Sequence, residues 1–171
     1  EIAARLGGSK GTLWSYFPSK EALFAAVLDR ATSAFRAELV EVFTPQADVA
    51  QALRRFCLHF VAKLTSPEAV SVHRTVVGEA RRFPELGRIF FESAPGRTRK
   101  MVADYLAEAM QRGALRQGDP MQAAMQLTGM CMAGCHMELL VGVIDSAPAR
   151  RIETEVDAAV RAFMASHGPL G

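Results

Sequence analysis

Apolar positions along this chain recur at intervals of three and four residues, and no stretch alternates as a half-buried strand would. The clearest stripe is Phe24, Leu28, Ala31, Phe35 and Val42, which predicts one long helix, capped by Ser19 and ending near Phe43 before Pro45. Leu53, Phe56, Cys57, Phe60 and Leu64 repeat the pattern over residues 48–64. Pro67 suits the first turn of a helix running to about Phe83, where Pro84 stops it. Residues 84–113 read as helix with an interruption at Ala94, Pro95 and Gly96, so two pieces or a sharp kink are expected. Asp119 and Pro120 open a long apolar helix to about Val143. Ser146 starts a last one carrying Ile152, Val156, Ala159, Val160 and Phe163. At the beginning, residues 1–6 form the end of a helix stopped by Gly7 and Gly8. Ser9 then caps a short helix from Lys10 to Phe17, closed by Pro18. The sum is an all-α protein of roughly nine helices joined by short loops, with no internal repeat.

Composition narrows the class. Half of the 171 residues are apolar and 22% are charged, as in a folded globular chain. A net charge of +2 neither demands nor excludes nucleic acid, so only a local patch can decide. Cys57, Cys131 and Cys135 are an odd set, two of them inside an apolar helical segment. That argues against a disulfide framework and for a reducing, cytoplasmic setting. No stretch has the uncharged apolar length of a membrane span, so no membrane partner is expected.

The short helix at residues 10–17 is poorly built for a core. Leu13 and Phe17 fall on one side, while Gly11 and Ser15 occupy the opposite face. A glycine and a serine at the centre of an outer face let another molecule approach the backbone. The flanks offer Lys10, Thr12, Trp14 and Tyr16: a cation, two hydroxyls and an indole N–H. These contacts suit phosphates and base edges in a major groove. Helix, glycine turn and short helix together make a helix-turn-helix, with Ser9 at an N-terminus that favours phosphate and Lys20 as a second anchor.

The run "EIAARLGGSKGTLWSYFPSKEALFAAVL" closely resembles the DNA-binding region of the tetracycline-repressor (TetR) family of bacterial transcriptional regulators. Ile2, Ala3, Gly7, Ser9, Gly11, Leu13, Tyr16, Phe17, Lys20 and Leu23 carry the shared pattern. Trp14 stands where the family usually has tyrosine, and Gly8 where it usually has a small apolar residue. The resemblance implies Ser9, Lys10, Gly11, Thr12, Trp14, Ser15, Tyr16 and Lys20 as the DNA-contacting set, on double-stranded operator DNA. It also implies a further helix upstream of Glu1. A chain starting at Glu1 is expected to fold and dimerise through its C-terminal half while binding DNA poorly. The DNA-binding region with its connecting helix is placed at residues 1–43 and a helical effector-binding and dimerisation domain at 44–171. Residues 73–130, through "EARRFPEL" and "GALRQGDPMQAA", resemble the C-terminal domain of the AefR-like subgroup. The function implied is that of a homodimeric repressor released from operator DNA by a small apolar effector.

Phe56, Cys57, His59, Phe60, Met101, Tyr105, Met125 and Met132 are candidate lining for an effector cavity, with His59 or Tyr105 to orient a ligand. His73, beside Arg74, reads as a solvated surface residue. The last two helices are expected to form a four-helix dimer interface, through Gly129, Ala133 and Gly134 on one and the stripe Ile152, Val156, Val160 and Phe163 on the other. Cys131 and Cys135, four apart with His136 adjacent, leave a thiol- or metal-responsive sensor as the alternative, although no metal-ligand spacing is present and packing or a dimer interface explains them better. A small helical enzyme is the other alternative. No nucleophile-base grouping or phosphate loop supports it, Glu138 near His136 being the one buried-looking acid, and no cofactor is expected.

Overall fold

The computed structural model describes residues 16–43 and 48–169, and among these there are eight α-helices and no strand. They are α1 Lys20–Val42, α2 Val49–Leu64, α3 Pro67–Glu79, α4 Pro84–Ser93, α5 Pro95–Gln111, α6 Pro120–Met132, α7 Cys135–Val141 and α8 Ala149–His167. The two expected helices ahead of Tyr16 lie outside the described residues, save for the end of the second.

Local chemistry sets most of the starts. The Ser19 hydroxyl accepts from the Ala22 N–H at 3.1 Å, Asp48 from Gln51 at 2.9 Å, and Ser66 from Ala69 at 3.3 Å. The Asp119 carboxylate accepts from both Met121 and Gln122. Each satisfies an N–H that the helix itself leaves free. Proline occupies the first turn of α3, α4, α5 and α6, where its missing N–H costs nothing. The interruption at residues 94–96 is a full break between α4 and α5.

Three boundaries differ from the sequence reading. α3 ends at Glu79 because residues 80–82 tighten into turns and Phe83, preceding Pro84, leaves the helical region at φ -130° and ψ 79°. α8 begins at Ala149, since Pro148 is extended and serves as its N-cap. The expected single helix over residues 119–143 is two, parted at Ala133 and Gly134. The cause of that parting is tertiary: the Glu155 carboxylate of α8 enters at Gly134 and accepts from the Cys135 N–H at 2.9 Å. A Cβ on Gly134 would stand 2.1 Å from a Glu155 oxygen.

The core is shared by α2, α5, α6 and α8, with Leu53, Phe56, Leu106, Leu127, Val156 and Phe163 fully enclosed. α1 lies across α4 and reaches this body through Phe35, Leu39 and Val42. Of its expected stripe, Leu28, Phe35 and Val42 are buried, Phe24 is half-buried and Ala31 is exposed. The stripe Ile152, Val156, Val160 and Phe163 on α8 faces inward against α2 and α6 of the same subunit. It therefore cannot serve as the dimer surface the sequence reading gave it, because its apolar area is already removed from water within one chain.

Candidate functional site

Of the eight residues implied for DNA contact, Ser9, Lys10, Gly11, Thr12, Trp14 and Ser15 lie outside the described residues. Tyr16 and Lys20 flank the turn into α1, and both are exposed, Tyr16 by 77%. Glu21, in the first turn, has its carboxyl held below the usual range by its own backbone N–H and by Ser19, as suits the positive end of a helix. Lys20 is the opposite case. An ammonium at a helix N-terminus gains nothing from the dipole, so its charge is left for an anion outside the helix. A phenol and an ammonium presented on one exposed turn match the oxygens of a phosphate backbone.

Behind this turn α1 forms one wall of a cavity of about 330 Å³. Leu28, Ala31, Thr32 and Phe35 come from α1, and Phe60 and Leu64 from α2. Val72 and His73 of α3, Phe90 and Phe91 of α4, Thr98 and Arg99 of α5, and Thr128 and Met132 of α6 close the rest. The lining is dominantly aliphatic and aromatic, with Lys63, Glu68 and Arg99 as charged members and a few further polar groups, the composition of a small-molecule site. The Thr128 hydroxyl is already committed to the Ala124 carbonyl at 2.8 Å.

The expected lining residues separate in space. Phe60 and Met132 do face this cavity. Phe56 and Cys57 are wholly enclosed in the core, where Phe56 stacks on Phe60 and Phe43 at 5.4 Å. Tyr105 is buried against Phe43, ring centroids 4.5 Å apart, and Met101 packs on the same core. Met125 is 45% exposed on the outer side of α6. His59 is exposed and borders an open groove with Leu58, Ala62 and Glu153.

His73 is not a solvated surface residue, as its sequence neighbour Arg74 suggested. Its ring lies 5.4 Å from Phe90 and 5.4 Å from His136, and burial pulls its pKa down. His136 is completely enclosed, and neither ring nitrogen makes a well-formed hydrogen bond among the described residues, a weak one toward the Met132 backbone apart. Burial, and then the neighbouring His73, lower its pKa, with the Met132 backbone pulling weakly the other way. Arg74 turns away from the cavity, donating from Nε to the Leu140 carbonyl at 3.0 Å and from Nη2 to Leu139, and so ties α3 to α7. The signal for His73 was present in the spacing Ala69, Val72, His73 and Val76, an inward-facing helical pattern. No local signal marked His136.

The cysteines do not act as an i, i+4 pair. Cys131 faces Cys57 across α2 and α6, and their hydrogen bond, with burial, raises the Cys57 thiol well above its ordinary range. Cys135 packs by Glu155, and burial first, then that carboxylate, push its thiol up to about 11. Thiols held protonated are poor nucleophiles and poor metal ligands. Among the described residues no three His, Cys, Asp or Glu side chains group as a metal site. Glu138 is not buried: it pairs with Arg151 at 2.6 Å at the surface end of α7.

Two family models match the chain: bacterial regulatory proteins, tetR family, over residues 1–27, and AefR-like transcriptional repressor, C-terminal domain, over residues 51–169. Among solved structures, a TetR-family transcriptional regulator from Mesorhizobium loti is 29% identical with a TM-score of 0.87, covering 98% of this chain and 84% of its own. The flavonoid-responsive regulator FrrA is 32% identical with a TM-score of 0.83, covering 99% and 86%. A TetR family regulator from Pseudomonas syringae pv. tomato shares the fold at 24% identity and a TM-score of 0.76, covering 98% and 83%. No curated protein sequence matches the chain.

Proposed function

The chain belongs to the tetR family of bacterial regulatory proteins, and from that premise we propose that it is a homodimeric repressor which a small apolar effector releases from operator DNA. It is a DNA-binding transcriptional regulator and not an enzyme. Residues 1–43 are the DNA-reading part in this proposal and residues 44–171 the effector-binding and dimerisation part.

One observation carries the release mechanism: the cavity wall includes Leu28, Ala31, Thr32 and Phe35 of α1, the helix whose first turn presents Lys20. A ligand seated between α1 and the body changes where α1 rests. Two reading heads must sit about one turn of DNA apart, ~34 Å, to enter successive major grooves. A modest displacement of each α1 breaks that spacing, and the ligand's preference for the displaced state supplies the energy. The flavonoid response in the name of FrrA is consistent with an aromatic effector for a cavity lined by Phe35, Phe60, Phe90 and Phe91.

Dimerisation in this proposal uses the outer sides of α6, α7 and α8. α6 and α7 expose Met121, Met125, Met130 and Met137, and residues 120–137 carry no Lys, Arg, Asp or Glu. Beside α6, the outward face of α8 carries the small residues Ala158, Ala162 and Ala165. An uncharged, methionine-rich face next to a stripe of alanines allows two copies of the chain to pack closely.

The deciding experiment selects bound fragments from random DNA, then titrates the complex with a panel of aromatic compounds. Release of wild type and loss of release in Thr98→Trp, which fills the cavity while DNA affinity is kept, is the expected result. Release that is unchanged in the filled variant would place the effector elsewhere.

A further inference from the structure

The cavity is mainly apolar, with Thr32, Lys63, Glu68, Thr98, Arg99 and Thr128 along its wall and one pair of imidazoles. His73 reaches its wall with His136 directly behind it, the two rings 5.4 Å apart and tilted by 35°. That separation is one that an N–H···N bond between two imidazoles can span. His136 has no exposure and no well-formed hydrogen bond, only a weak one toward the Met132 backbone, a state that buried polar groups rarely keep. His73, on the cavity wall with its ring 5.4 Å away, is placed to be its partner.

Resting on the cavity reading above, we propose that His73, backed by His136, is the polar reader of this cavity and that it selects an aromatic effector carrying a hydroxyl group. Burial keeps both rings neutral, so each offers one donor and one acceptor. Once His73 turns one nitrogen to His136, its other nitrogen faces the ligand as a donor or an acceptor, depending on the tautomer. A hydroxyl, which both donates and accepts, completes either arrangement. A carboxylate, which only accepts, completes one, and a bare ring completes neither. The ring of Phe90, 5.4 Å from His73, places an aromatic face beside the reading nitrogen, and Phe60 lines the same cavity from α2. A flat ligand stacked there brings its edge substituent to His73.

The test measures binding of three probes to the purified full chain by calorimetry: biphenyl, hydroxybiphenyl and biphenyl carboxylate. Wild type should bind hydroxybiphenyl at least about tenfold more tightly than biphenyl, as a site built around a hydroxyl rejects the analogue lacking it. His73→Phe should bind biphenyl as wild type does and lose the preference. His73→Gln, which retains a donor and an acceptor, should recover part of it, and His136→Leu should weaken it while biphenyl still binds. Equal binding of biphenyl and hydroxybiphenyl, a preference that survives in His73→Phe, or tightest binding of the carboxylate would overturn the assignment and leave the cavity reading standing. Wild type that binds none of the three would instead sink the cavity reading itself, and this inference with it.

Discussion

Introducing one charge at Val156 or at Met125 separates two accounts of how this protein dimerises. Val156 lies on α8 with no exposure, packed toward α2 and α6 of its own subunit. Val156→Glu gives up the burial of a valine side chain, about 1.5–3 kcal/mol. It also places a carboxyl where no partner waits, which adds a further cost of about 1–3 kcal/mol even when the group takes a proton. Together these reach roughly 3–6 kcal/mol, a large share of the 5–15 kcal/mol by which domains are held folded. At about 2–4 °C per kcal/mol for a chain of this size, the melting temperature should fall by at least about 6 °C. Met125, 45% exposed on α6, is the contrary case: a glutamate there costs the isolated subunit within about 0.5 kcal/mol but buries a charge between two copies. Sedimentation velocity combined with thermal melts at several protein concentrations reads both effects. Wild type should melt at a temperature that rises with concentration, whereas Met125→Glu should sediment as a folded monomer whose melting no longer depends on concentration. A stable, monomeric Val156→Glu, or a fully dimeric Met125→Glu, would refute the placement of the interface.

Glu155→Ala should destabilise by about 1 kcal/mol, the usual worth of a lost helix cap, and Gly134→Ala should cost less in a Glu155→Ala background than alone, which a double-mutant cycle of unfolding free energies checks. Burial raises the Glu155 carboxyl, but the Cys135 N–H, the Cys135 thiol and Arg151 outweigh it and hold the folded pKa below 4.5. Its contribution is therefore present above the unfolded value and lost as pH falls through the folded one. Melting temperature should drop below about pH 4.5, with a shallower drop in Glu155→Gln. Replacing Cys57 and Cys131 by Ala should cost about 1–3 kcal/mol by removing buried sulfur and leave effector response intact, and a thiol reagent should label the native protein slowly. Lys20→Ala should weaken binding to every DNA sequence alike and lower the slope of log affinity against log salt by about one.

Much of this architecture was legible from neighbours in the chain, because capping and proline stops act over three or four residues. Ser19, Asp48, Ser66 and Asp119, with Pro67, Pro84, Pro95 and Pro120, mark helix starts by chemistry that needs no partner from elsewhere. The tetR-family likeness of residues 1–27 was equally legible, since its ordered motif is contiguous. What the tertiary structure decided are the features that need two distant segments to meet. Periodicity shows that Ile152, Val156, Val160 and Phe163 share a face, but the packing of α8 on α2 and α6 turned that face into the subunit's own core. Residues 119–143 read as one helix because their apolar pattern runs on through Gly134, until a carboxylate 21 positions beyond it occupies the space of its missing Cβ. Cys131 found Cys57 instead of Cys135, and His73 found His136, because side chains far apart in sequence meet only after the helices have packed. Local hydrogen bonding is written residue by residue, whereas the inward or outward sense of an apolar face, and the partner of a buried polar group, depend on which helix arrives beside it.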